Sequence, residues 1–206
     1  MKYLLILLPL LISCSSVKKT PGKYIKPSTL TITGDFDGDG LQEKLVQYIA
    51  DSSGTKLIRV YDPYDWCDVI TYYSKMSYHT ALSLENGEGN ILTYNAYGLF
   101  CLINIGDNNN DGKDEIALVP ALLDYSNLNS CRIYSLCNNE WQELTVFRIL
   151  EDSFAYAGST EPIFTEIVNY LEHKDGQWFF WDYDMAEQVA DEEVGQMKKL
   201  IVPKCN

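Results

Sequence analysis

Histidine is nearly absent from this chain, with two copies in 206 residues. Neither His79 nor His173 lies in a nucleophile or metal motif, and no serine sits in a Gly-x-Ser-x-Gly elbow. No motif of triad or zinc chemistry is therefore present. Basic residues are also scarce: 16 Lys and Arg stand against 29 Asp and Glu, for a formal charge of −13. Phosphate contacts require clustered Lys and Arg, so this balance argues against nucleic acid as a partner. Long hydrophobic runs are lacking too. The apolar stretch from Tyr3 to Ile12 falls well short of the roughly 20 residues that a membrane-spanning helix needs.

That stretch, preceded by Lys2, has the proportions of an export signal. Leu11-Ile12-Ser13-Cys14 then looks like a bacterial lipobox, which implies removal of residues 1–13 and lipidation of Cys14. The polar segment Ser15 to Thr29, with Lys18, Lys19, Lys23 and Lys26, reads as a flexible tether. The expected address is the bacterial cell envelope, with the chain held to a membrane through acyl chains on Cys14. In lipoproteins a non-acidic residue after the cysteine, here Ser15, points to the outer membrane or cell surface. Five further cysteines follow, and an exported chain can form disulfides. Cys131 and Cys137, read as flanking a short turn, are the first candidates for a pair.

What the chain does have is organised carboxylates. Asp35-Phe36-Asp37-Gly38-Asp39-Gly40-Leu41-Gln42-Glu43 is echoed by Asp107-Asn108-Asn109-Asn110-Asp111-Gly112-Lys113-Asp114-Glu115. Oxygen-bearing side chains occupy positions 1, 3, 5 and 9 of each loop, and glycine occupies position 6. Alternate side chains can then point inward around a hard cation while glycine permits the reversal. One such loop is readily explained by local Asx hydrogen bonding. Two on the same plan favour a metal, and an all-oxygen protein cage favours Ca2+ over Mg2+.

The loops belong to a longer self-similarity. Leu30 to Gly34 and Leu102 to Gly106 precede them, and apolar runs Lys44 to Ala50 and Ile116 to Leu123 follow as strands. Arg59-Val60-Tyr61 then matches Arg132-Ile133-Tyr134, and Trp66-Cys67-Asp68-Val69 matches Trp141-Gln142-Glu143-Leu144. A degenerate third copy spans about 165–183, with a hairpin turning at Lys174-Asp175-Gly176. Strand candidates Tyr78 to Leu84 and Ile91 to Ile103 flank a turn at 85–90. Asp184 can cap a C-terminal helix from Met185 to Leu200.

Position 12 of each loop is Val46 or Leu118, which rules out an EF-hand, whose last ligand sits there. An Asp-x-Asp-x-Asp-Gly-x-x-Asp/Glu loop between strands instead resembles the FG-GAP/VCBS repeat, found in integrin α-subunit propellers and many exported bacterial proteins. The resemblance covers about residues 30–147. It implies one ion held by Asp35, Asp37, Asp39 and Glu43, and another by Asp107, Asn109, Asp111 and Glu115. The backbone carbonyls of Leu41 and Lys113 would add a ligand each. Glutamate replaces the commoner aspartate at position 9, and the chain is too short for the family's many-bladed propellers.

The expected fold is therefore mainly β: two or three propeller-blade-like antiparallel units with Asp-rich calcium loops, plus a short C-terminal helix. The units run about 30–73, 102–148 and 165–183 within one domain, 30–206. Trp178 to Tyr183 reads as a core strand in preference to a sugar-stacking platform. Tyr61, Tyr64 and Trp66, around the turn marked by Pro63, are candidate contacts for a protein or polysaccharide ligand. The expected role is non-catalytic binding or envelope scaffolding. The alternative is a carbohydrate-active hydrolase or its accessory subunit, because glycoside hydrolysis needs only two carboxylates.

Overall fold

The computed structural model describes residues 22–63, 65–155, 165–183 and 197–205. The chain is mainly β. A short ribbon pairs β1 (Lys23–Ile25) with β4 (Val60–Asp62). The first four-stranded antiparallel sheet contains β2 (Thr31–Gly34), β3 (Glu43–Ala50), β5 (His79–Leu84) and β6 (Leu92–Tyr94), in that order. The second is an uninterrupted meander of β7 (Ala96–Gly106), β8 (Glu115–Leu122), β9 (Leu128–Cys137) and β10 (Glu140–Leu150). β11 (Leu171–Lys174), β12 (Gln177–Phe180) and β13 (Lys198–Lys199) form a third sheet. Two helices complete the description, α1 (Trp66–Met76) between β4 and β5, and α2 (Asp152–Ala155) after β10.

The second sheet lies at the centre because both its faces are apolar. Every residue of β8 from Glu115 to Pro120 is buried, with no polar alternation, as expected for a strand covered on two sides. Ile103, Ala117, Val119, Cys131 and Ile133 face Trp178, Trp181 and Leu200 from the third sheet's region. Their neighbours of opposite parity, Leu102, Ile116, Leu118 and Leu136, pack on Leu45, Leu82 and Leu84 of the first sheet. Trp178 and Trp181 are accordingly buried, and Trp178 Nε1 donates to Ile105 O at 2.8 Å.

The duplication holds through the first two strands of each unit. Gly34 pairs with Glu43 where β2 meets β3, and Gly106 pairs with Glu115 where β7 meets β8. Beyond them the expected correspondence needs correction. Trp66 opens α1 whereas Trp141 lies in β10, so those two tryptophans are not equivalent. The first unit is completed by β5 and β6, with β4 and α1 inserted before them. Asp65 caps α1, accepting from Cys67 N at 2.9 Å, and Val69 and Tyr73, one turn apart, are its buried face.

A further expectation fails, and another is corrected at its end. Cys131 and Cys137 both lie in β9, six positions apart on one extended strand, which separates them by about 20 Å. A disulfide tolerates a Cα separation of only about 7 Å at most. Cys137 instead pairs with Cys205, Cys67 is also disulfide-bonded, and Cys101 and Cys131 are buried free thiols. The expected C-terminal helix lies largely outside the described residues, but its end is not helical: Lys198–Lys199 forms β13 on the edge of β12. Leu200 N donates to Trp178 O at 2.8 Å. The hairpin at Asp175-Gly176 is as expected, with Lys174 opposite Gln177 and both turn residues at positive φ.

Candidate metal centres

Each acidic loop is the hairpin connection between the first two strands of its sheet, and the two share one hydrogen-bond plan. The position-1 carboxylate accepts from the position-6 glycine: Gly40 N to Asp35 Oδ2 and Gly112 N to Asp107 Oδ2, both 3.0 Å. The position-5 carboxylate accepts from position 7: Leu41 N to Asp39 Oδ1 at 2.7 Å and Lys113 N to Asp111 Oδ1 at 3.1 Å. The position-9 glutamate accepts from position 2: Phe36 N to Glu43 Oε2 and Asn108 N to Glu115 Oε2, both 2.8 Å. Positions 4 and 6 have positive φ in both loops, at Gly38 and Gly40 and at Asn110 and Gly112. Glycine and asparagine are the residues that tolerate that conformation best.

The shared backbone gathers the expected side chains. Asp35, Asp37, Asp39 and Glu43 each bring a carboxylate oxygen into one group, all within 4.8 Å of one another. Asp107, Asp111 and Glu115 do the same in the second loop. Each group could hold a metal ion. Asn109, at position 3, is 8% exposed, and its Nδ2 donates to Glu115 Oε1 at 2.9 Å and Pro203 O at 3.2 Å. Its Oδ1 is buried with no hydrogen-bond partner. A buried acceptor left in that state is costly, and a cation is one way to satisfy it. At position 7, the Leu41 side chain is exposed, while Lys113 turns its ammonium away to Leu136 O at 2.7 Å.

The loops differ in depth. Glu43 is half-buried, and desolvation raises its pKa, with Asp37 and Asp35 adding to the rise. Glu115 is fully buried. Desolvation, reinforced by Asp111 and Asp107, pushes its pKa up to about 7. The anchors at position 2 differ as well. Phe36 is fully buried and meets Trp141 edge-on at 5.8 Å, whereas Asn108 Nδ2 donates to Ile105 O and Gly106 O. Phe36 is a positioning residue the motif itself does not reveal. Its signal was the single aromatic residue inside an Asp- and Gly-rich loop.

The two loops also touch. Asp114 N donates to Asp35 O at 2.8 Å, and Asp35 N donates back to Asp114 Oδ2 at 3.2 Å. Asn104 Nδ2 bridges the same Asp114 oxygen and Thr33 O at 2.8 and 2.9 Å. Gly38 lies so close that an added Cβ would stand 3.0 Å from Lys113 Cγ and 3.2 Å from Gly112 O. Over the second loop lies the C-terminal segment, fixed by the Cys137–Cys205 disulfide, Pro203 O on Asn109, and Lys204 Nζ on Asn110 O at 2.9 Å.

Of the other sequence candidates, Tyr61 and Trp66 each pack on tyrosine rings. Tyr61 packs between Tyr24 and Tyr72, with ring centroids at 5.5 and 5.2 Å. Trp66 lies against Tyr97 at 6.1 Å and is partly exposed. Tyr64 and Cys14 lie outside the described residues. No helix among the described residues is long and apolar enough to cross a membrane. No protein-family model, curated protein or solved structure matches this chain.

Proposed function

We propose that this protein is an exported, lipid-anchored binding or scaffolding module. Its blade-like sheets, of FG-GAP/VCBS type, are stapled by two calcium ions. The observation that carries the calcium reading is the pairing of two loops with one hydrogen-bond plan, one of which buries an unpartnered Asn109 Oδ1. Asp35, Asp37, Asp39 and Glu43 hold one ion, with the carbonyl of Leu41. Asp107, Asn109, Asp111 and Glu115 hold the other, with the carbonyl of Lys113. Calcium is favoured over magnesium because magnesium keeps several waters and rarely accepts an all-protein oxygen cage. The ions neutralise crowded carboxylates and fix the angle between the strands that leave each loop. Their role is structural, and the reading assigns no catalytic step to the loops.

The anchor rests on the Leu11-Ile12-Ser13-Cys14 motif. Cys14→Ala should therefore release or misprocess the protein. Detergent partitioning of wild type and variant tests this, and equal membrane association of the two would remove the anchor. For calcium, one ion at about a hundredfold excess over its dissociation constant adds roughly 2.7 kcal/mol to stability. Thermal melting with and without chelator tests this. The expected result is a clear fall in melting temperature, restored by calcium and poorly by magnesium. Identical curves from protein shown to contain calcium before chelation and none after it would refute the structural role.

A further inference from the structure

Away from the acidic loops, a groove of about 520 Å3 opens where the start of α1, the β8–β9 connection and the end of β10 converge. Trp66, Tyr97 and Tyr125 line it together with Asp124, Asn127 and Glu151. The size is that of a small-molecule site, which spans roughly 300–1,000 Å3. Its aromatic side chains are held in place. Trp66 Nε1 donates to Asp124 O at 2.8 Å, and the indole meets Tyr97 edge-on. Tyr125 is 70% exposed, yet its hydroxyl donates to Cys67 Sγ at 2.9 Å.

The polar side chains are anchored and only partly used. Glu151 N donates to Asn127 O at 2.9 Å, and Asn129 Nδ2 donates to Glu151 Oε1 at 2.7 Å. Asp124 Oδ1 accepts from Ser126 N at 2.9 Å. The second oxygens of Asp124 and Glu151, and the side-chain amide of Asn127, are left without a hydrogen-bond partner among the described residues. Fixed aromatic surface therefore borders two acceptors and an amide that both donates and accepts.

We propose that this groove binds a neutral saccharide. A sugar ring has a face of C–H groups that stacks on aromatic surface and an edge of hydroxyls that both donate and accept. The hydroxyls would donate to Asp124 and Glu151 and pair in either sense with Asn127. An anionic ligand is disfavoured by those carboxylates and by Asp152, whose charge acts on Glu151. An ammonium ligand would use the rings and carboxylates but leave the Asn127 amide idle. The proposal concerns a site separate from the calcium loops, and it does not depend on the reading given to them.

The experiment is a screen of calcium-saturated protein on an array of neutral glycans, with Tyr125→Ala and Asn127→Ala as variants and choline as a cationic control. Both substitutions lie on a surface connection, and unchanged melting temperatures verify the fold. The expected result is binding to at least one neutral glycan, weakened tenfold or more by each variant. Absence of glycan binding by the wild type would overturn the proposal. So would glycan binding indifferent to both variants. Choline binding that is lost in salt, with no glycan bound, would reassign the groove to cationic ligands.

Discussion

The disulfide between Cys137 and Cys205 connects two properties that are usually measured apart, global stability and the affinity of one metal site. It closes a loop over a sequence separation of 68. The chain-entropy relation gives about 4 kcal/mol for a loop of that length at 25 °C. Replacing both cysteines by alanine should therefore cost about 2–4 kcal/mol in urea unfolding at saturating calcium. The same change releases Pro203 from Asn109 and Lys204 from Asn110. Losing about one net hydrogen bond at the second loop corresponds to roughly fivefold weaker calcium binding there. A calcium titration in an Asp37→Ala background, which disables the first loop, reads that affinity alone. A stability loss below about 1 kcal/mol, together with unchanged calcium affinity, would refute the role given to the C-terminal segment.

Three further perturbations follow from the loops. Phe36→Ala should cost about 3–5 kcal/mol, measured by urea unfolding, because the side chain is fully buried against Trp141. It should also weaken the first calcium site, and a change below 1 kcal/mol would mean that the loop does not depend on this anchor. Asp114→Ala removes the acceptor shared by Asp35 N and Asn104 Nδ2. Calcium titration should then show weaker binding at the first loop, and unaltered isotherms would exclude coupling through this seam. In chelator, burial keeps Glu115 protonated up to about pH 7, above its reference value of 4.5. The folded chain then binds more protons than the unfolded chain, so metal-free stability should fall as pH rises through that window. Calcium should offset the fall, and a flat urea-midpoint profile in chelator would contradict it.

The loops were legible because their requirements are local. Alternating oxygen side chains, glycine at position 6 and a following apolar run all lie within one short segment, and the strands pair as that order implies. α1 was not legible. Val69, Ile70, Thr71, Tyr72 and Tyr73 are β-branched or aromatic residues with modest helix propensity, and burial of Val69 and Tyr73 decides the matter. The signal that could have found it was Asp65 as a cap with apolar residues at helical spacing behind it. Aligning Trp66 with Trp141 concealed that signal by making the segment look like a repeat. The disulfide partner was out of reach for a different reason. Cys205 meets Cys137 only because the chain after β13 returns across the second loop, a tertiary contact with no local trace. The groove at Trp66 is equally non-local, since Tyr97, Asp124 and Glu151 lie in β7, after β8 and after β10.

Calorimetric titration of calcium into chelator-stripped protein tests the central claim most directly. The account predicts two ions per chain, with Asp37→Ala and Asp107→Ala each reducing the number to one and magnesium failing to compete at equal concentration. Folded, stripped protein that binds no calcium, or that binds it equally well with both loops substituted, would contradict the account and return both loops to ordinary Asx-bonded turns.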